Sequence, residues 1–160
     1  MSDGVRVVFV CWGNICRSPM AERVARGWAI RESLHGVVEI VSAGVSSEEF
    51  GNPIDRRAAR VLRDAGYDAD GHRARRITAA DIRAADLVIA MEQLHLSRIR
   101  QLVPEADNLH LLTDFDPEAV PGSGVDDPWY GPPQGFLDTL AAIEAAMPGV
   151  FARLRVLSAS

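Results

Sequence analysis

The chain is poor in cysteine, in long apolar runs and in excess positive charge. Its 160 residues include two cysteines, at positions 11 and 16, too few for a disulfide-stapled fold or a cysteine-based zinc site. No apolar run is long enough to span a bilayer and no signal-peptide core follows Met1, so we expect no membrane insertion and a cytoplasmic location. The basic residues are all arginine, but the net charge of −5 argues against nucleic acid as a partner.

The apolar residues recur in two alternating patterns. Short β-branched runs alternate with longer stretches of helical periodicity, which is typical of a parallel sheet covered by helices on both faces. We therefore predict an α/β fold, a three-layer sandwich with a central four-stranded parallel sheet, in one domain over residues 1–160. The predicted strands are 5–10, 38–42, 87–91 and 109–112, and the predicted helices are 19–34, 55–65, 93–102 and 134–157.

A tight turn follows the first predicted strand. Its sequence is Cys-Trp-Gly-Asn-Ile-Cys-Arg-Ser-Pro, residues 11–19. Gly13 and Asn14 tolerate positive φ, and Ser18 followed by Pro19 is typical of a helix cap and a first helical position. The segment therefore predicts a strand–loop–helix turn whose inward-pointing backbone N–H groups bind an anion.

The same turn contains a nucleophile and a phosphate-binding side chain. Inward N–H groups, a helix N-terminus and Arg17 all favour the thiolate form of Cys11, which would make this side chain nucleophilic at neutral pH. The planar guanidinium of Arg17 matches two oxygens of a phosphoryl group. The other residues of the turn that we predict to bind substrate are Trp12, Gly13, Asn14, Ile15, Cys16 and Ser18.

A long segment, residues 113–133, contains five of the nine prolines and has little apolar periodicity. We expect it to be either disordered or a functional loop over the site. Departure of an alkoxide needs a proton donor, and Asp126 and Asp127 are the first candidates in this segment, with Asp114 and Asp116 as weaker ones. All four would also be ordinary turn residues, which the sequence alone does not distinguish from a catalytic acid.

Three separated segments resemble the low-molecular-weight protein tyrosine phosphatases, and they occur in that family's order. Residues 11–19, with the Met-Ala-Glu that follows, resemble the family's signature. Residues 42–44 resemble the segment after its second strand, His72 lies in a similar His-x-Ala stretch, and residues 127–131, Asp-Pro-Trp-Tyr-Gly, resemble its acid loop. The similarity spans nearly the whole chain, and the high arginine and alanine content with no lysine indicates a bacterial member.

The resemblance implies hydrolysis of phosphotyrosine through a phosphocysteine intermediate, with no cofactor and no metal. Cys11 would be the nucleophile, Arg17 the phosphate ligand, and Asp127, chosen over its neighbours by the family comparison, the general acid and base. The implied partner is a phosphotyrosine-containing protein, with a bacterial tyrosine kinase as one candidate.

The resemblance also implies roles around the nucleophile. Trp129 and Tyr130 would form aromatic walls deep enough for phosphotyrosine, and Trp12 would add a third wall. Asn14 would pin the strained loop, with Ser42 and His72 as its supporting network, and Ser18 would donate to the thiolate. The chain departs from the family in having Trp129 where tyrosine is usual, Glu92 where aspartate is frequent, and Phe50 as the sole aromatic of residues 46–50.

Several alternatives remain open at this point. Cys16 resembles a redox partner that protects the nucleophile through a reversible disulfide, and it is equally well interpreted as a small buried residue. An arsenate reductase of the same fold would need external thiols, because no cysteine beyond Cys16 is available for an internal relay. A phosphotyrosine-binding module without activity would have no use for Asp127.

Overall fold

The computed structural model describes residues 4–159, in which strands and helices alternate. The strands are β1 (Val5–Cys11), β2 (Val38–Gly44), β3 (Leu87–Ala90) and β4 (Leu109–Leu111). The α-helices are α1 (Arg17–Arg31), α2 (Arg56–Asp64), α3 (Ala79–Ala84), α4 (Gln93–Leu102) and α5 (Gln134–Ser158). Two 3-10 turns, Leu112–Phe115 and Pro128–Tyr130, lie between β4 and α5.

The four strands form one parallel sheet in the order β2-β1-β3-β4, which confirms the predicted fold class. β1 is central, pairing with β2 on one side and β3 on the other, and its β-branched and aromatic residues suit a strand buried on both faces. Ligands of open parallel sheets bind beyond the carboxyl ends of the strands. The end of β1, at Cys11, is therefore where a site is expected.

Helices cover both faces of the sheet. Val7 and Phe9 point into a core shared with α1, α2 and α5, whereas Val8 and Val10 point into a second core shared with α3 and α4. The two cores follow from the period of two along a strand, which sends successive side chains to opposite faces. Among residues 4–159, no helix combines the length and apolarity that crossing a bilayer would require.

The predicted start of α1 is wrong. The helix begins at Arg17 with Cys16 as its N-cap, so Ser18 is not the cap and Pro19 lies within the first turn rather than at the first position. Proline is tolerated there because its missing N–H would have no partner in the helix. The hydroxyl of Ser18 is engaged by side chains of the site described below.

Other boundaries differ by a few residues, and one helix was not predicted. β1 and β2 extend further than predicted, β3 and β4 end one residue earlier, and α1 ends three residues earlier. The unpredicted helix α3 begins with a capping box in which Thr78 Oγ1 accepts from Asp81 N (3.1 Å) and Asp81 Oδ2 accepts from Thr78 N (2.8 Å). Six residues are too few for a helical period to show in sequence.

Candidate active site

A cavity of about 160 Å³ opens at the carboxyl end of β1. Its floor is the loop that joins β1 to α1, and its walls come from the loop after β2 and from the 3-10 turn Pro128–Tyr130. The lining residues are Cys11, Trp12, Gly13, Ile15, Cys16, Arg17, Glu48, Glu49, Asp127, Trp129 and Tyr130. Segments far apart in sequence therefore meet at this cavity.

Asn14 holds the floor loop in shape. It has a φ of 62° and a fully buried side chain, and its Nδ2 donates to Ser18 Oγ (2.8 Å) and Ser42 Oγ (3.0 Å). Its Oδ1 accepts from Arg75 N (3.0 Å), and His72 Nε2 donates to its backbone carbonyl (2.6 Å). The loop is thus held from β2 and from residues 72–75. Asn14 and Ser18, both predicted to bind substrate, do not line the cavity.

The hydrogen bonds continue behind the loop. Ser42 Oγ donates to Glu22 Oε1 (2.7 Å), and Arg23 Nε pairs with Glu22 Oε2 (2.9 Å), both residues of that pair being buried. Burial lowers the pKa of His72, and its Nε2 carries the hydrogen donated to Asn14, because a carbonyl oxygen can only accept. The sequence analysis did not predict that Glu22 and the backbone of Arg75 support the loop. For Glu22, the sequence feature that could have indicated this role is an acidic residue early in α1, shortly after the turn.

Cys11 lies where a thiolate would be stabilised. Its Sγ is 3.0 Å from Ser18 Oγ, and because Ser18 accepts the amide hydrogen of Asn14, its own hydroxyl hydrogen is free to donate to sulfur. Cys16 also lines the cavity, but its burial and the nearby Asp55 raise the pKa of its thiol far above the usual range. Both cysteines are free thiols in this structure. The raised pKa argues against Cys16 as the nucleophile, whereas Cys11 has a hydroxyl group beside its sulfur.

Arg17 lies at the bottom of the cavity with its guanidinium fixed from behind. Nη1 donates to Glu92 Oε2 (2.5 Å) and to the carbonyl of Val125 (2.7 Å), while Nη2 is 3.5 Å from Asp127 Oδ2. The side chain is 3% exposed. Nη1 is therefore occupied by the protein, whereas Nη2 faces Asp127 among the residues that line the cavity.

Asp127 is the acid of its segment that reaches the cavity. Its Oδ1 accepts from Trp129 N (3.1 Å), which caps the 3-10 turn, and its Oδ2 faces Arg17. Asp114 and Asp116 accept from backbone N–H groups of their own loop, and Asp126 does not line the cavity. Geometry thus separates candidates that the sequence left together.

Aromatic side chains form the walls. Trp129 is partly exposed with the guanidinium of Arg57 5.1 Å from its ring centroid, and Tyr130 is 90% exposed at the mouth. Trp12 carries the guanidinium of Arg98 at 5.0 Å from its ring centroid. Phe50 is 72% exposed and does not line the cavity. Trp12, Trp129 and Tyr130 all line the cavity, but Tyr130 projects mostly into solvent, and their role as walls for an aromatic ring stays a prediction.

Glu92 and His95 lie behind Arg17, and sequence reasoning missed their arrangement. Glu92 N donates to His95 Nδ1 (3.1 Å), which places the hydrogen of the neutral ring on Nε2, 3.8 Å from Glu92 Oε2. Burial and the charge of Arg17 lower the pKa of His95 to about 4. The Glu-x-x-His spacing at the start of α4 is the sequence feature that could have indicated this pair.

Within residues 4–159, no group of three or more His, Cys, Asp or Glu could hold a metal ion.

Comparisons with known proteins agree on one family. Residues 6–158 match the family model described as "Low molecular weight phosphotyrosine protein phosphatase". "Low molecular weight protein-tyrosine phosphatase A" of Mycobacterium tuberculosis (strain ATCC 25618 / H37Rv) is 42% identical over 151 residues, covering 94% of this chain and 91% of that protein. "Low molecular weight protein-tyrosine-phosphatase" of Streptomyces coelicolor is 43% identical over 155 residues, covering 94% and 93%.

A solved structure agrees with these relatives. The crystal structure of YfkJ from Bacillus subtilis superposes with a TM-score of 0.89 at 30% identity, covering 96% of each chain. Sequence similarity over nearly the whole chain and similarity of fold thus point to the same group of proteins. The chain belongs to the low molecular weight phosphotyrosine protein phosphatase family.

Proposed function

We propose that the chain hydrolyses phosphotyrosine in proteins through a phosphocysteine formed on Cys11, with Arg17 binding the phosphoryl group and Asp127 acting as acid and then base. Family membership supports the activity, that of a cysteine-dependent protein-tyrosine phosphatase. The roles of individual residues rest on the geometry of the cavity.

In the first step, Cys11 Sγ attacks phosphorus and the bond between phosphorus and the phenolic oxygen breaks. Arg17 Nη2 and the backbone N–H groups of the floor loop bind the equatorial oxygens. The phosphate thus lies on the side of the guanidinium that Asp127 Oδ2 faces. Asp127 gives its proton to the departing phenolate. The product is a neutral tyrosine and a phosphocysteine.

In the second step, Asp127 acts as a carboxylate and removes a proton from water. The resulting hydroxide attacks phosphorus, the S–P bond breaks, and inorganic phosphate leaves while Cys11 returns to the thiolate. Ser18, 3.0 Å from the sulfur, stabilises that leaving thiolate by donating its hydroxyl hydrogen. No step requires a metal ion.

One observation carries the proposal: Cys11, Arg17 and Asp127, from three parts of the chain, line the same cavity. The fixed guanidinium and the hydroxyl on the sulfur match the needs of phosphoryl transfer from a thiolate. We further propose that the physiological substrates are phosphotyrosine-containing proteins, a bacterial tyrosine kinase among them, and that the protein works in the cytoplasm, where two free thiols stay reduced.

Hydrolysis of an aryl phosphate in excess chelator, with reducing agent present, tests the proposal. We expect turnover by the intact protein, none by Cys11→Ser, and a reduction of about 100-fold or more in kcat for Asp127→Ala. Asp126→Ala is the matched control and should stay within about twofold of the intact protein. Absence of turnover in fully reduced intact protein would refute the proposal, and arsenate reduction with external thiols, measured alongside, would then identify the alternative.

A further inference from the structure

The mouth of the cavity carries two carboxylates that the proposed mechanism does not use. Glu48 and Glu49, in the loop between β2 and α2, line the same cavity as Cys11. A site that binds a phosphate dianion gains nothing from acidic neighbours, because like charges repel. Their presence at the mouth therefore needs an explanation other than phosphate binding.

Both side chains are held over the floor loop. Glu49 packs against Gly13, where an added Cβ would lie 3.2 Å from Glu49 Cγ, and its Oε1 accepts from Asn52 Nδ2 (2.9 Å). Glu48 Oε2 accepts from Trp12 Nε1 (3.4 Å), on the edge of an aromatic wall. The two carboxylates are thus placed at the rim by contacts with the site itself.

The loop that carries them is also anchored. Gly51 N donates to Ala74 O and Ala74 N donates to Asn52 O, both at 2.8 Å. Residues 72–75 are the same segment that holds Asn14. The rim loop is therefore connected to the floor of the cavity through residues 72–75.

Arg17 is the one cation among the lining residues, and its ion pairs are with Glu92 and Asp127 rather than with Glu48 or Glu49. The other charged lining residues are Arg17, which bound phosphate and Glu92 would neutralise, and Asp127, which is protonated when it acts as the acid. Arg98 stacks on Trp12 but does not line the cavity. With phosphate bound, the lining therefore presents two negative charges to whatever flanks the phosphotyrosine.

We propose that Glu48 and Glu49 select substrates in which lysine or arginine lies within a few residues of the phosphotyrosine, and discriminate against acidic flanks. The inference rests on the proposed function, since it concerns the substrate of the same cavity. A flanking cation would pair with the rim carboxylates while the phosphate occupies the floor. Each exposed pair contributes little by itself, so the selectivity depends on two carboxylates acting together.

Three peptides with the same central phosphotyrosine and with lysine, glutamine or glutamate on both sides test the inference. We expect kcat/KM of the intact protein to fall in the order lysine, glutamine, glutamate, spanning about tenfold at low ionic strength. Raising the salt to about 0.5 M should reduce the span to within about twofold, because exposed charges are screened. This salt series needs no variant and so does not depend on a substitution being tolerated.

The variant Glu48→Gln/Glu49→Gln should reduce the span at low salt to within about twofold. Glu105→Gln is the control for position, because Glu105 precedes β4 at the opposite end of the sheet and its substitution removes one charge of the same sign. It should keep the full span. The readout is the ratio between peptides within one variant, so a general change in activity cancels.

The possible outcomes distinguish the inference about Glu48 and Glu49 from the proposed phosphatase activity. Equal kcat/KM for the three peptides, or a preference for glutamate flanks, would overturn the rim inference and leave the phosphatase activity intact. A preference for lysine that survives in the double glutamine variant would also overturn it, because another surface would then be responsible. Failure to hydrolyse any of the three peptides would overturn the proposed function and the inference with it.

Discussion

Arg17 contacts the protein through one nitrogen of its guanidinium and faces the general-acid candidate through the other. One nitrogen of its guanidinium bonds to Glu92 and to the carbonyl of Val125, while the other faces Asp127 and the ligand space. A lysine would bring the same charge, but its single nitrogen cannot reach the carboxylate, the carbonyl and a phosphate together. The proposed phosphate-binding role therefore favours arginine over lysine by geometry as well as by charge.

We expect Arg17→Lys to lower kcat/KM for an aryl phosphate by about 100-fold or more and to weaken inhibition by inorganic phosphate, because bidentate binding is lost. Steady-state kinetics with phosphate as competitive inhibitor measures both. Arg100→Lys, an exposed arginine of α4 outside the cavity lining, is the control and should behave as the intact protein does. A kcat/KM for Arg17→Lys within about fivefold of the intact protein would contradict the proposed role.

His95 allows a prediction about pH. Its pKa is lowered from the ordinary value of 6.5 to about 4 in the folded protein, mainly by burial and then by the charge of Arg17. Between these two pH values the unfolded chain binds a proton at His95 and the folded chain does not. The neutral ring therefore stabilises the fold fully above pH 6.5. This contribution, about 3 kcal/mol in all, is lost as the pH falls from 6.5 toward 4.

We expect the free energy of unfolding in urea to fall over this window, and to fall less steeply in His95→Asn, whose amide can still accept from Glu92 N. Burial also lowers the pKa of His72 and of His110, and both remain in the variant, so the difference between the two slopes reports on His95. Parallel slopes for the two proteins would show that His95 is not responsible.

At the scale of elements, α5 contains a residue that helix propensity alone does not explain. Gly149 lies inside this helix of 25 residues, next to Pro148, although both residue types weaken helices. An added Cβ at Gly149 would lie 2.2 Å from the carbonyl oxygen of Phe115. The close approach of α5 to the 3-10 turn Leu112–Phe115 therefore requires glycine.

Gly149→Ala should destabilise the protein by about 2 kcal/mol, although the same change in an ordinary helix interior stabilises by about 1 kcal/mol. Unfolding in urea measures the effect. Gly36→Ala is the matched control, because an added Cβ there meets no atom within 4 Å, and its effect should stay within about 0.5 kcal/mol. An increase in stability on Gly149→Ala would show that the helix and the turn separate readily.

At the scale of the whole molecule, the single domain over residues 1–160 stays a prediction that unfolding tests. The cores on the two faces of the sheet share β1, so neither is complete without the other. We expect one cooperative urea transition in which tryptophan fluorescence and far-UV circular dichroism coincide. Trp28, packed on Phe151 at 5.9 Å between ring centroids, reports on the core. Two separate transitions would contradict a single domain.

The fold class and the main site candidates could be predicted from the sequence because they depend on local patterns. The period of two along β1 and the glycine and asparagine after it indicate a buried strand and a sharp turn without knowledge of the rest of the chain. The choice of Asp127 relied on the family resemblance. Its separation from Asp126 in space depends on which carboxylate the 3-10 turn directs inward, and that is a property of the folded loop.

Patterns between near neighbours were enough to predict the alternation of strands and helices and the turn that holds Cys11 and Arg17, because hydrophobic periodicity and backbone preference act over short distances along the chain. Three arrangements became visible only in the folded chain: Glu92 and His95 behind Arg17, Glu22 and Arg75 supporting the floor loop, and Glu48 and Glu49 at the rim. Each of these depends on contacts between residues distant in the chain. Such contacts leave no periodic signal, and packing establishes them once the sheet and its helices have come together.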